Sequence, residues 1–235
     1  MEETHISGKK YTLSMKSLST AYQKIPKEWI AITMSLLSIS LVFARMYYTH
    51  YFAFRFLLWN LFLAWLPWVF AQIAQSKIKP VKWGSWMLWL LFLPNSFYIL
   101  TDLFHLKLHT YVPGWFDLFM ILSCAWAGVL WGFFSLRKFH LQMISLLGKA
   151  FARAATFGVL ILSSFGVYLG RYLRWNSWDV FSRPLGLMEE LMTYTFIDGG
   201  WKQMVGFTLC MTGFLTLAYI AWMEKNVESP TSQQT

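Results

Sequence analysis

Six apolar stretches, each near the twenty residues needed to cross a hydrocarbon layer at 1.5 Å per residue, fill most of this chain and leave few folds open to it. They run over 29–49, 56–75, 82–101, 115–136, 152–173 and 201–223. A segment in lipid must satisfy its own backbone hydrogen bonds, so each stretch predicts a helix. Only 13% of the 235 residues are charged, where a soluble domain carries about 25%. Fourteen Trp and eleven Tyr fit the same solvent, because amphipathic rings collect at the two membrane interfaces. The expected fold is all-α: a polytopic membrane bundle of six transmembrane helices, with short tails over 1–28 and 224–235.

The polar, lysine-bearing first 28 residues lead into a long apolar run without a small-residue cleavage site, which predicts an uncleaved first span. Lys and Arg fall thirteen to one side of the membrane and seven to the other. The richer side holds both tails, the 77–82 turn and the loop after the fourth span, so both termini are expected in the cytoplasm of a plasma-membrane protein. Arg45 lies close enough to the end of the first span to snorkel toward water. A net charge of +9 without a basic cluster in a soluble segment excludes a nucleic-acid partner. Cys124 and Cys210 sit inside apolar runs, so no disulfide framework or CxxC redox motif is available.

One polar stripe interrupts this pattern. Read as a continuous α-helix, Asn95, Tyr98, Asp102, His105 and His109 fall within an arc of about 80° at roughly 100° per residue. Ionisable groups at membrane depth are costly unless they face protein, water or a ligand, so the stripe is a candidate site. Pro94 removes a backbone donor and bends the third span just before it, and Asn95 can repair the freed carbonyl. The orientation collects the remaining conspicuous residues on the same outer side: Asp117 at the start of the fourth span, then Arg171, Arg174, Trp175, Asn176 and Asp179 at the end of the fifth.

Three chemistries suit these residues. Arg171 and Arg174 can present forked donors to a carboxylate or phosphate, which gives a ligand site with Asn95, Tyr98, Asp102, His105, Asp117, Trp175, Asn176 and Asp179. Asp102 and His105 can act as acid and base in a hydrolase or transferase, and with His109 at the spacing i, i+4 they can converge on a divalent metal. Alternatively, Arg171 pairs with Asp102 and the charges form a structural lock. No GxSxG elbow, P-loop, dinucleotide fingerprint or HExxH motif is present. Gly128-x-x-x-Gly132 and Gly166-x-x-x-Gly170 allow close helix approach. The segment 176–198 is apolar on one side and broken at Arg183-Pro184, which predicts short helices lying flat over the outer face.

The motifs Leu93-Pro94-Asn95 through Tyr98, Thr101-Asp102-Leu103 to His105-Leu106, Trp115-Phe116-Asp117-Leu118 and Leu173-Arg174-Trp175-Asn176-Ser177-Trp178-Asp179 carry a resemblance. The chain resembles a family of bacterial multi-spanning membrane proteins known as domain of unknown function 1361. That resemblance implies an integral membrane protein, and it leaves His109 outside the shared pattern. The resulting expectation is an outward-facing polar pocket that binds or transports a polar or anionic envelope component, such as a lipid headgroup or cell-wall precursor.

Overall fold

A computed structural model of the chain describes residues 28–106, 112–197 and 199–227, with side chains at all of these except 181, 196, 197 and 225–227. Among the described residues there are helices and turns and no strand. Helix α1 spans Trp29–Thr49, α2 Phe56–Ile73 and α3 Lys79–Tyr98, which tightens directly into a 3₁₀ segment, Ile99–His105. A continuous helical stretch, Gly114–Tyr172, follows. Two short helices, α6 (Asp179–Ser182) and α7 (Pro184–Met192), and a π turn at Thr193–Ile197 lead into α8, Trp201–Val227. Five of these helical stretches are long and apolar enough to cross a membrane.

The 59-residue stretch is two antiparallel helices. Gly148 sits at φ 84°, ψ 170°, a conformation essentially confined to glycine, and it divides the stretch into α4 (114–147) and α5 (149–172). The reversal is measurable: His140 Nδ1 lies 2.8 Å from Thr156 Oγ1, whereas sixteen residues of straight helix would separate them by about 24 Å. The bundle therefore has six spans. What the sequence presents as a basic loop after the fourth span is helical almost to the turn.

Helix α3 packs between α2 and the α4–α5 pair, while α1 and α8 rest on that pair. Leu93, Ser96 and Phe97 have no exposed surface and Trp89 has 1%. Both glycine pairs face it. A Cβ on Gly132 would lie 2.7 Å from the Phe97 ring and 2.9 Å from Ser96 Cβ, and one on Gly166 would lie 2.7 Å from Pro94 Cγ. Such separations are below van der Waals contact, so only glycine lets α4 and α5 come this close. On a third side, Ser96 Oγ donates to the carbonyl of Ala64 in α2 at 2.7 Å. Outward-facing Leu36, Leu209 and Leu217 are 58–71% exposed, an arrangement that suits lipid rather than water as the surrounding medium.

Candidate functional site

The geometry turns on where α3 changes period. Up to Tyr98 each residue advances by about 100°, but the 3₁₀ segment advances by about 120°, so residues three apart eclipse. The stripe expected from a continuous α-helix therefore divides. Asn95 and Tyr98 line a cavity of about 530 Å³, while Asp102 is carried off that face into the protein, where it is 1% exposed. His105 remains beside Asp102, its Nδ1 3.9 Å from Asp102 Oδ1, because i and i+3 coincide in a 3₁₀ helix.

Asp102 is held from two other helices. Asn60 Nδ2 in α2 donates to its Oδ2 at 2.8 Å, and Arg171 Nη1 in α5 stands 3.9 Å from its Oδ1. Arg171 also stacks over Phe104 at 5.1 Å. The ends of the third and fifth spans thus meet, with Arg171 beside Asp102 at ion-pair distance and without a hydrogen bond between them. Asn60 does not belong to the stripe, yet it joins the ion pair to the cavity wall. A lone amide one turn into an apolar span was the sequence signal for it.

Asp117 lies elsewhere. Arg45 Nε donates to Asp117 Oδ1 at 2.6 Å and Nη2 to Oδ2 at 3.2 Å, with the two side chains 4% and 0% exposed. Phe54 covers the guanidinium at 4.3 Å. This corrects the reading of Arg45 as a snorkelling residue, and it assigns Asp117 to a buried two-pronged pair that fastens α1 to α4 instead of to the cavity. A charge inside the last turn of a span finds a carboxylate more readily than water when the neighbouring helix begins at the same depth.

The cavity lies between α2, α3 and α5, lined by Trp59, Asn60 and Leu63, by Met87, Leu91 and Asn95, and by Leu162, Phe165 and Leu169 among others. Trp175, Asn176, Ser177, Val180 and Leu187 close one end. This roof is tied to α3 at one point and braced within itself at two others. Asn95 Nδ2 donates to Ser177 Oγ at 2.9 Å and to the Phe92 carbonyl at 3.1 Å. Trp175 Nε1 donates to Glu190 Oε2 at 2.8 Å. Asp179 Oδ2 accepts from the Asn176 backbone N–H at 2.8 Å and from its Nδ2 at 3.1 Å. That backbone donor, with the Asn176 amide, Arg183 and Ser182 assisting, holds the Asp179 carboxyl below its usual pKa.

Of the residues singled out in the sequence, Asn95, Tyr98, Trp175 and Asn176 line the cavity, Asp179 braces its roof, and Asp102, His105 and Arg171 form the cluster behind it. Arg174 is exposed, with φ 57°, at the turn where the Trp175 N–H reaches back to the Leu169 carbonyl. Among the described residues no three His, Cys, Asp or Glu side chains gather as metal ligands. His109, the third member of the suggested metal set, lies outside the described residues.

Fold and site together define a polytopic α-helical membrane protein with a side-opening cavity braced by buried ion pairs. The family model for "Protein of unknown function (DUF1361)" matches residues 59–218, and the chain belongs to that family. No curated protein and no solved structure matches the chain.

Proposed function

We propose that this protein binds a cell-envelope amphiphile in the cavity between α2, α3 and α5, with the roof facing outward from the plasma membrane and both termini in the cytoplasm. The single observation that carries the reading is the division of the cavity wall. Leu63, Met87, Leu91, Leu162 and Phe165 make one part apolar, whereas Asn60, Asn95, Asn176 and Ser177 gather toward the roof. From Met87 to Asn95 the groove runs along α3 for about 12 Å, enough for several methylenes below a polar head. A volume of about 530 Å³ lies within the usual range of ligand sites. In this reading Asp102 and Arg171 hold the walls in place and do not touch the ligand.

A photo-crosslinking residue in place of Met87 tests it. The expected product is one enriched lipid species, whereas the same residue at lipid-facing Leu36 returns the bulk mixture. Identical mixtures at both positions would refute binding. For the orientation, Leu185→Cys on the roof, 83% exposed, is expected to react with an impermeant thiol reagent in intact cells. Labelling only after lysis would reverse the topology.

The buried charge pairs favour a second reading, in which the ion pairs are internal locks of a purely structural subunit. It predicts no specific crosslink at Met87.

A further inference from the structure

We infer that the head group taken by this cavity is uncharged and rich in hydroxyls, as in a glycosyl or glyceryl lipid, and is not an anionic phosphate or carboxylate. The inference rests on the binding reading above and sharpens it.

Among the described residues the lining contains no Lys, Arg or His. Arg171, the natural anion partner in this region, is engaged by Asp102 and Phe104, and neither it nor Arg174 is part of the wall. An anion leaving water for this recess would meet no compensating charge, and an unpaired buried charge is strongly disfavoured.

The three asparagines point the same way. Asn60 donates to the Asp102 carboxylate, Asn176 to the Asp179 carboxylate, and Asn95 to the Phe92 carbonyl. These partners are acceptors, so each amide must turn its nitrogen to the protein, and the three side-chain carbonyl oxygens are left to serve the cavity as acceptors. Two of them are polarised further by the carboxylate behind the amide. Acceptors call for donors. Hydroxyls supply them, and they can also accept from Tyr98 and Ser177, the two neutral hydroxyls in the wall. A cationic head is less suited, because each carboxylate already has an arginine: Asp102 has Arg171 at 3.9 Å and Asp179 has Arg183 at 4.0 Å.

The test uses the full chain in phosphatidylcholine nanodiscs supplemented with either monoglucosyl diacylglycerol or phosphatidylglycerol of matched acyl chains. Thermal unfolding and the lipids retained in native mass spectra are the readouts. The expected result is a rise in unfolding temperature with the glucolipid, and retention about tenfold tighter than for phosphatidylglycerol. Both should vanish in Leu162→Trp or Met87→Trp, which fill the cavity from exposed positions; the second guards against a folding defect in the first. Phosphatidylglycerol stabilising equally or better, with that effect also lost in the Trp variants, would overturn the neutral-head inference and leave the binding reading standing. No shift with either lipid, or shifts that survive both Trp variants, would overturn both.

Discussion

The Arg45–Asp117 pair allows a quantitative test of how α1 is attached. Two donors at 2.6 and 3.2 Å meet one carboxylate, and the side chains are 4% and 0% exposed, so neither charge has water to fall back on. Removing one partner from such a pair leaves an uncompensated buried charge and costs about 3–5 kcal/mol. The third guanidinium nitrogen, Nη1, is buried without a hydrogen bond, which puts the expected cost of losing the pair toward the lower end of that range. Arg45→Met and Asp117→Leu are each expected to destabilise by about 3 kcal/mol, and the double variant to return within about 1 kcal/mol of the parent, since apolar replacement of both members is near neutral. The coupling energy is then about 5 kcal/mol or more, above the usual range for surface pairs. Reversible unfolding of the four proteins in mixed micelles of graded denaturing detergent measures it. A cost below about 0.5 kcal/mol for Arg45→Met would mean that the arginine does reach water, and the reasoning would be refuted.

Gly166→Ala is expected to lose about 1–3 kcal/mol, because the new methyl meets the rigid Pro94 ring at 2.7 Å, whereas Gly158→Ala in the same helix meets nothing within 4 Å and should be neutral or slightly stabilising. Equal effects of the two in thermal unfolding would show that α5 does not rest on Pro94. Arg174→Gly relieves a left-handed residue, with an expected gain of about 1 kcal/mol; a loss of stability in the same assay would assign the side chain a structural role. For Asp179, whose folded pKa is lowered chiefly by the Asn176 N–H, the roof is fully stabilised above the ordinary carboxylate value of about 4 and loses that contribution as the pH falls through the lower folded value. Amide exchange at Asn176 should therefore accelerate on acidification below about pH 4 in the parent and show no such step in Asp179→Asn.

Apolar length alone made the six spans legible, since lipid leaves a chain few alternatives to helix. The meeting of Asp102 with Arg171 was legible too, because unpaired charges at membrane depth demand partners. What was not legible was the rotation of the stripe. Nothing in Ile99-Leu100-Thr101 announces a 3₁₀ turn, and its contacts, Ile99 with Gly128 and Asp102 with Asn60, are made with helices distant in sequence. Arg45 was misjudged for a related reason. Snorkelling and pairing look alike in one dimension, and only the depth of Asp117 on a helix distant in sequence separates them. Ser177 was overlooked as a partner for Asn95 because the contact spans 82 positions.

A reversal made at Gly148 has a consequence for assembly. With no connecting loop to close, bringing the arms over 114–147 and 149–172 together costs little chain entropy, and the pair is a helical hairpin held by contacts at short sequence separation. Its two glycine faces then both present themselves to α3, Gly166 to Pro94 and Gly132 to Phe97, forming a ready-made slot for that helix. The third helix, made earlier in synthesis, has only to settle into that slot, and in doing so it sets the floor of the cavity.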